Sequence, residues 1–182
     1  IVGGIRFYDR KEIKDILSYL RVLVNPIDDV TLRRIVNTPR RGIGDTSLER
    51  LQIFAQERSL SLFAALQQVD EVPNLDGRAT KSLREFSSLL RGLIATKETL
   101  DLPELGNEIV EKSGYREMLR EENTPEAEAR EQNIDQLLAE MTEYFDTNEE
   151  NSLETYLEEK SLMSSADENG EEGNAITLMT MH

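Results

Sequence analysis

Arg40 and Arg41, followed by Gly42-Ile43-Gly44 and then Asp45, Thr46 and Ser47, form the stretch whose residue types and spacing best suit gripping a polyanion. Two guanidinium groups stand beside two residues that tolerate a positive φ or let another backbone approach closely. Asp45, Thr46 and Ser47 all favour the start of a helix, and a helix start points unpaired N–H groups outward, where a phosphate can sit. Thr46 with Glu49 fits a capping box, and Leu48 and Leu51 open the apolar face behind it. The same residues also fit an ordinary capped turn between two helices.

Other chemistry is thin. With one histidine, no cysteine and no GxxxxGK[ST] loop, the sequence excludes most nucleophile, zinc and nucleotide sites. The pairs Glu121-Glu122, Glu149-Glu150 and Glu158-Glu159 lack the spacing of a calcium loop and read as solvated charge. The five tyrosines and five phenylalanines sit at helical core spacing and form no stacking platform. The absence of cysteine suits a cytoplasmic protein. No apolar run approaches a membrane span, and the N-terminus carries no signal-peptide pattern.

Helical periodicity dominates the elements that must position the turn. Residues 1–9 read as a short strand and turn. A helix follows over about 10–23, broken at Asn25-Pro26, and a second, capped by Asp28 or Asp29, ends near Asn37. Helices are then expected over about 45–58 and from Ser59 or Ser61. A long one follows the polar stretch around Gly77, with Leu83, Phe86, Leu89, Leu90, Leu93 and Ile94 on one stripe. Further helices fit 102–112, stopped by Ser113-Gly114, a long segment around residue 130 and about 153–162. Residues 166–173 read as an acidic, glycine-containing loop with no assignable role, and 175–181 as a strand. The fold class is therefore mainly α, with short terminal strands that belong to a sheet elsewhere, and the chain reads as a piece of a longer protein.

The net charge of −15 is unevenly distributed. Residues 1–119 carry 18 basic and 18 acidic groups, whereas 120–174 carry 3 and 18. Between Arg33 and Arg50, five arginines face two acids, so the glycine turn lies in a small cationic zone.

A helix, a glycine-bounded turn and a second helix resembles a helix-hairpin-helix element, which holds the phosphate backbone without reading bases. "GGIRFYDRKEIKDILSYLR", "VNTPRRGIGDTSLERL", "SGYREML", "EAREQNIDQLL" and "AITLMTMH" resemble, in order, segments of the UvrD/PcrA/Rep-type superfamily 1 DNA helicases. The resemblance covers essentially the whole chain. It implies an ATP-dependent 3′-to-5′ helicase of repair and replication, whose ATP- and Mg²⁺-binding motifs lie outside these residues, so this piece alone should be inactive. Residues 25–174 would be the helical 2B subdomain, with 1–24 and 175–182 the edges of the RecA-like 2A subdomain. The implied partners are duplex and junction DNA and accessory repair, replication or transcription proteins, with 2B also restraining unwinding and swivelling as a unit. The implied DNA contacts are Arg40, Arg41, Gly42, Ile43, Gly44, Thr46 and Ser47, while Thr180 and His182 would lie near single-stranded DNA. The alternative is a free-standing acidic helical module that binds other proteins.

Overall fold

The computed structural model describes residues 2–162, with side chains from Arg6 onward, and among these residues the fold is helical throughout. In chain order the helices are α1 (Val2–Asp9), α2 (Lys11–Val24), α3 (Asp29–Ile35), α4 (Asp45–Glu57), α5 (Leu62–Gln67) and α6 (Gly77–Thr96). They continue with α7 (Leu102–Lys112), α8 (Tyr115–Glu122), α9 (Pro125–Thr147) and α10 (153–162).

α2 is the axis of the body. Ile13, Ile16, Tyr19, Leu20, Val22 and Leu23 are all buried, so the helix is enclosed on nearly every side rather than along one stripe. It packs on α1, α3, α6, α7 and α9. At Asn25-Pro26 the chain turns a tight corner: the Asn25 N–H donates to Arg21 O at 2.8 Å and the Asp28 N–H to Asn25 O at 3.1 Å. α3 then lies directly against α2, bringing Leu32 and Ile35 into the same core.

Local capping explains most helix starts. The side chains of Asp28, Ser61, Asp76 and Thr124 each accept the N–H three residues on. Asp101 and Glu104 form a reciprocal capping box at the head of α7. Gly114, at φ +83°, ends α7 as expected, but the chain re-enters a helix at once, and α8 had no counterpart in the sequence reading. Arg116 fastens α7, α8 and α9 by pairing with Glu111, Glu131 and Asp135 at 2.8, 3.0 and 2.9 Å. Its bond to Glu131, helped by Arg120, holds that carboxyl below its ordinary range.

One expectation is corrected. Residues 1–9, read as a strand and turn, contain helix α1. A strand needs a partner ladder and no strand exists among the described residues, whereas a helix satisfies its own backbone. Phe7 is buried in the common core, with Tyr8 edge-on to it at 5.3 Å. The segments 166–173 and 175–182 lie outside the described residues.

α6 also yields a stability prediction. Gly92 is exposed in the interior of this helix, and a Cβ there meets nothing within 4 Å. Gly92→Ala should therefore stabilise the domain by about 1 kcal/mol. Thermal denaturation followed by circular dichroism would register this as a rise of about 3 °C; an unchanged or lower midpoint would contradict it.

Candidate nucleic-acid interface

α3 runs into the turn through Val36, Asn37 and Thr38, followed by a cis Thr38–Pro39 bond. Asn37 organises what comes next. Its Oδ1 accepts the backbone N–H of Arg41 at 2.6 Å and that of Ile43 at 3.3 Å, folding the segment over itself. Gly42 is at φ +75°, a left-handed conformation that costs an L side chain about 1–2 kcal/mol. Ile43 is buried and anchors the turn in the core.

The two arginines separate. Arg40 is exposed, whereas Arg41 turns inward. Arg41 Nη1 donates to the carbonyls of Ile35, Val36 and Thr38 at 2.9, 3.2 and 3.2 Å. Its Nη2 donates to the Tyr19 hydroxyl at 2.5 Å and to the Ser113 carbonyl at 3.3 Å. The guanidinium carbon lies 4.9 Å from the centre of the Phe86 ring. The Tyr19 hydroxyl in turn donates to Thr38 O at 2.5 Å, and burial pushes its phenol above the usual value, against the pull of Arg41.

Gly44 is the N-cap of α4, in extended backbone at φ −79° and ψ 170°. The capping box expected between Thr46 and Glu49 is not made. The helix begins two residues too early for it, and Gly44 has no side chain to offer, so the first turn carries no side-chain cap. Thr46 is exposed and Ser47 half-buried in that first turn.

An open cleft of about 670 Å³ runs past Asn37, Arg40, the turn from Gly42 to Asp45 and Ser47, and reaches Asp76, Arg78 and Ala79 at the head of α6, so that two carboxylates, Asp45 and Asp76, share it with the two arginines. Two helix N-termini therefore converge on one depression, flanked by Arg40 and the exposed Arg78. Sequence reasoning missed Arg78. It lay in a polar stretch taken only as a separator, although Asp76 followed by a helical run was a readable N-cap signal. On the other side of Arg40 a second cleft of about 830 Å³ is lined by both signs of charge, with Lys11, Arg40, Arg41 and Arg130 beside Glu117, Glu121 and Glu122. The three acidic pairs singled out in the sequence are exposed, and no cluster with metal-ligand potential occurs among the described residues. Of the expected contacts, the structure brings Arg40, Gly42, Ile43, Gly44 and Ser47 to one opening, where Ile43 is itself buried, turns Arg41 inward, and leaves Thr46 exposed without lining that opening. Thr180 and His182 lie outside the described residues.

Among the described residues an all-helical body exposes a glycine turn, with Arg40, beside two helix starts. The chain belongs to the UvrD-like helicase C-terminal domain family, whose match extends over residues 1–182. It is 44% identical over 184 aligned residues to the ATP-dependent DNA helicase PcrA of Staphylococcus aureus (strain NCTC 8325 / PS 47), covering 100% of this chain and 25% of that protein. It is 42% identical over the same span to the protein of that name from Staphylococcus epidermidis (strain ATCC 12228 / FDA PCI 1200). The chain thus spans a quarter of the length of these curated relatives. The resemblance to UvrD/PcrA-type superfamily 1 helicases is borne out. Among the described residues, no helix is long and apolar enough to cross a membrane.

Proposed function

We propose that this chain is the 2B subdomain of an ATP-dependent 3′-to-5′ DNA helicase, and that its glycine turn rests on the phosphate backbone of duplex DNA. The observation that carries the reading is Gly44. Its own backbone does not require glycine, and a Cβ there would meet nothing within 4 Å. Serine, threonine or aspartate would cap α4 as well or better. Glycine is an ordinary N-cap, and here the bare position leaves room for an approach from outside the chain, close to first-turn amides that have no side-chain acceptor.

In this reading Arg40 meets a phosphate, while Thr46 and Ser47 fix the register without reading bases. Arg78 extends the contact along the same cleft. ATP and Mg²⁺ are held by other parts of the whole protein, and the 2B body restrains unwinding and receives accessory proteins. Residues before Lys11 and residues 175–182 carry the connections to 2A, whereas 11–24, at the edge of 2A by the resemblance, form α2 inside the helical body. Because α2 is the axis of the helical body, a swivel between the units is better accommodated before Lys11 than at Asn25-Pro26.

Two substitutions in the full-length chain test the site against a hairpin duplex at several salt concentrations. Arg40→Ala should weaken binding about fivefold, corresponding to about 1 kcal/mol, and lower the slope of log affinity against log salt by about one. Gly44→Ser should leave the melting point nearly unchanged and still weaken binding, because its side chain occupies the approach. Wild-type affinity and slope in both variants would remove the turn from the DNA contact.

A further inference from the structure

We infer that Arg41 is a positioning residue, which shapes the glycine turn from behind rather than touching the nucleic acid. The DNA part of this inference rests on the reading proposed above; the structural part does not.

The argument starts from where the guanidinium lies. The last carbonyls of a helix have no intrahelical donor and form its negative end. Arg41 reaches two such ends at once, through Ile35 and Val36 at the end of α3 and Ser113 at the end of α7. The same group reaches Thr38 within the turn and Tyr19 on α2, and lies over Phe86 on α6. One planar fork therefore ties the turn to four helices. A lysine ammonium has the charge but not the width, because its three donors leave from a single nitrogen. With both terminal nitrogens spent on internal acceptors, Arg41 presents no free fork to a phosphate.

The backbone of the same residue completes the device, because its N–H is one of the two that Asn37 accepts. A displaced Arg41 would loosen both the seat of the turn and the fold of the turn itself. Gly42, Gly44 and the first amides of α4 would then no longer be presented as a fixed surface.

The experiment uses the full-length chain with Arg41→Lys, Arg41→Gln and Arg40→Ala. Leu157→Ala, a buried residue of α10 that lines neither cleft, serves as a control for general destabilisation. Hydrogen exchange without DNA should accelerate about tenfold or more at the amides of Arg41 and Ile43 in both Arg41 variants. It should stay at the wild-type rate in Arg40→Ala and Leu157→Ala.

Duplex affinity should fall about tenfold in both Arg41 variants with the salt slope retained, whereas Arg40→Ala lowers the slope by about one. Recovery of affinity by lysine would mean that charge alone matters and would overturn the inference. So would a slope reduced by one in Arg41→Gln with turn exchange unchanged, since that is the mark of a phosphate contact. Unchanged exchange in both Arg41 variants would equally refute it. Faster turn exchange with wild-type affinity in every variant, Arg40→Ala included, would support Arg41 as the holder of the turn and refute the DNA contact instead.

Discussion

Replacing Asp15 by alanine should lower the unfolding free energy by about 3 kcal/mol, the scale of a broken buried charge network. Asp15 is 1% exposed on the enclosed helix α2. Its Oδ2 accepts the Tyr115 hydroxyl at 2.7 Å, and its Oδ1 accepts Arg34 Nε at 3.1 Å. Tyr115 is fully buried, so without Asp15 its hydroxyl loses its short partner and keeps only a distant donor, Arg130 at 3.5 Å. Burial, then the neighbouring carboxylate, pushes the Tyr115 phenol well above its ordinary range, so the hydroxyl remains a donor throughout the physiological pH range. Arg34 is 40% exposed and can turn to water, which keeps the loss at the lower end of the range. The melting point of the chain should fall by about 10 °C. Tyr115→Phe should cost less, and adding it to Asp15→Ala should cost less than the sum, because the two share one interaction. A midpoint for Asp15→Ala within about 2 °C of the original, at the few degrees per kcal/mol expected for this size, would show that the network contributes little.

The second large effect is an asymmetry between two partners in one ion pair. Lys160 is 8% exposed, and its ammonium lies 2.5 Å from Glu140 Oε1, with the rings of Tyr8 and Tyr156 at 5.0 and 5.2 Å. Glu140 is 28% exposed and also accepts the Tyr156 hydroxyl at 3.1 Å. Glu140→Ala strands a buried ammonium between two rings and should cost about 3 kcal/mol. Lys160→Met leaves a carboxylate that water can reach and fills the slot with an unbranched apolar chain, so it should cost about 1 kcal/mol or less. Combining the two should recover most of the loss caused by Glu140→Ala, since no buried charge is left unpaired. Urea unfolding of the three variants decides the matter. Equal costs for the two single changes would mean that burial does not govern this pair.

Much of the helical framework was legible because its signals are local. Helical spacing of Leu83, Phe86, Leu90 and Leu93 marked α6, and their burial follows from it. The Asp28 and Ser61 caps and the Ser113-Gly114 stop act through hydrogen bonds or dihedral angles within a few residues, so sequence narrowed each cap to two candidates, Asp28 or Asp29 and Ser59 or Ser61, and placed the stop. The glycine turn was visible for the same reason. α8 was missed because a left-handed glycine ends one helix without saying whether another begins. Residues 1–9 were misread because apolar and glycine residues near a terminus suit a strand only if a sheet lies beside them.

The sequence by itself determined the mainly helical class, the family and the position of the cationic turn, since each depends on residue order and spacing. It could not decide what the two adjacent arginines do. Arg40 and Arg41 are identical in type and contiguous, and only the convergence of α2, α3, α6 and α7 gives one of them acceptors within reach. Arg78 joined the site in the same way, through a helix start that packing brings across some 35 residues of chain. Hydrogen-bond geometry between distant segments exists only after the helices have packed, and that packing assigned one arginine to the interior and left its neighbour at the surface.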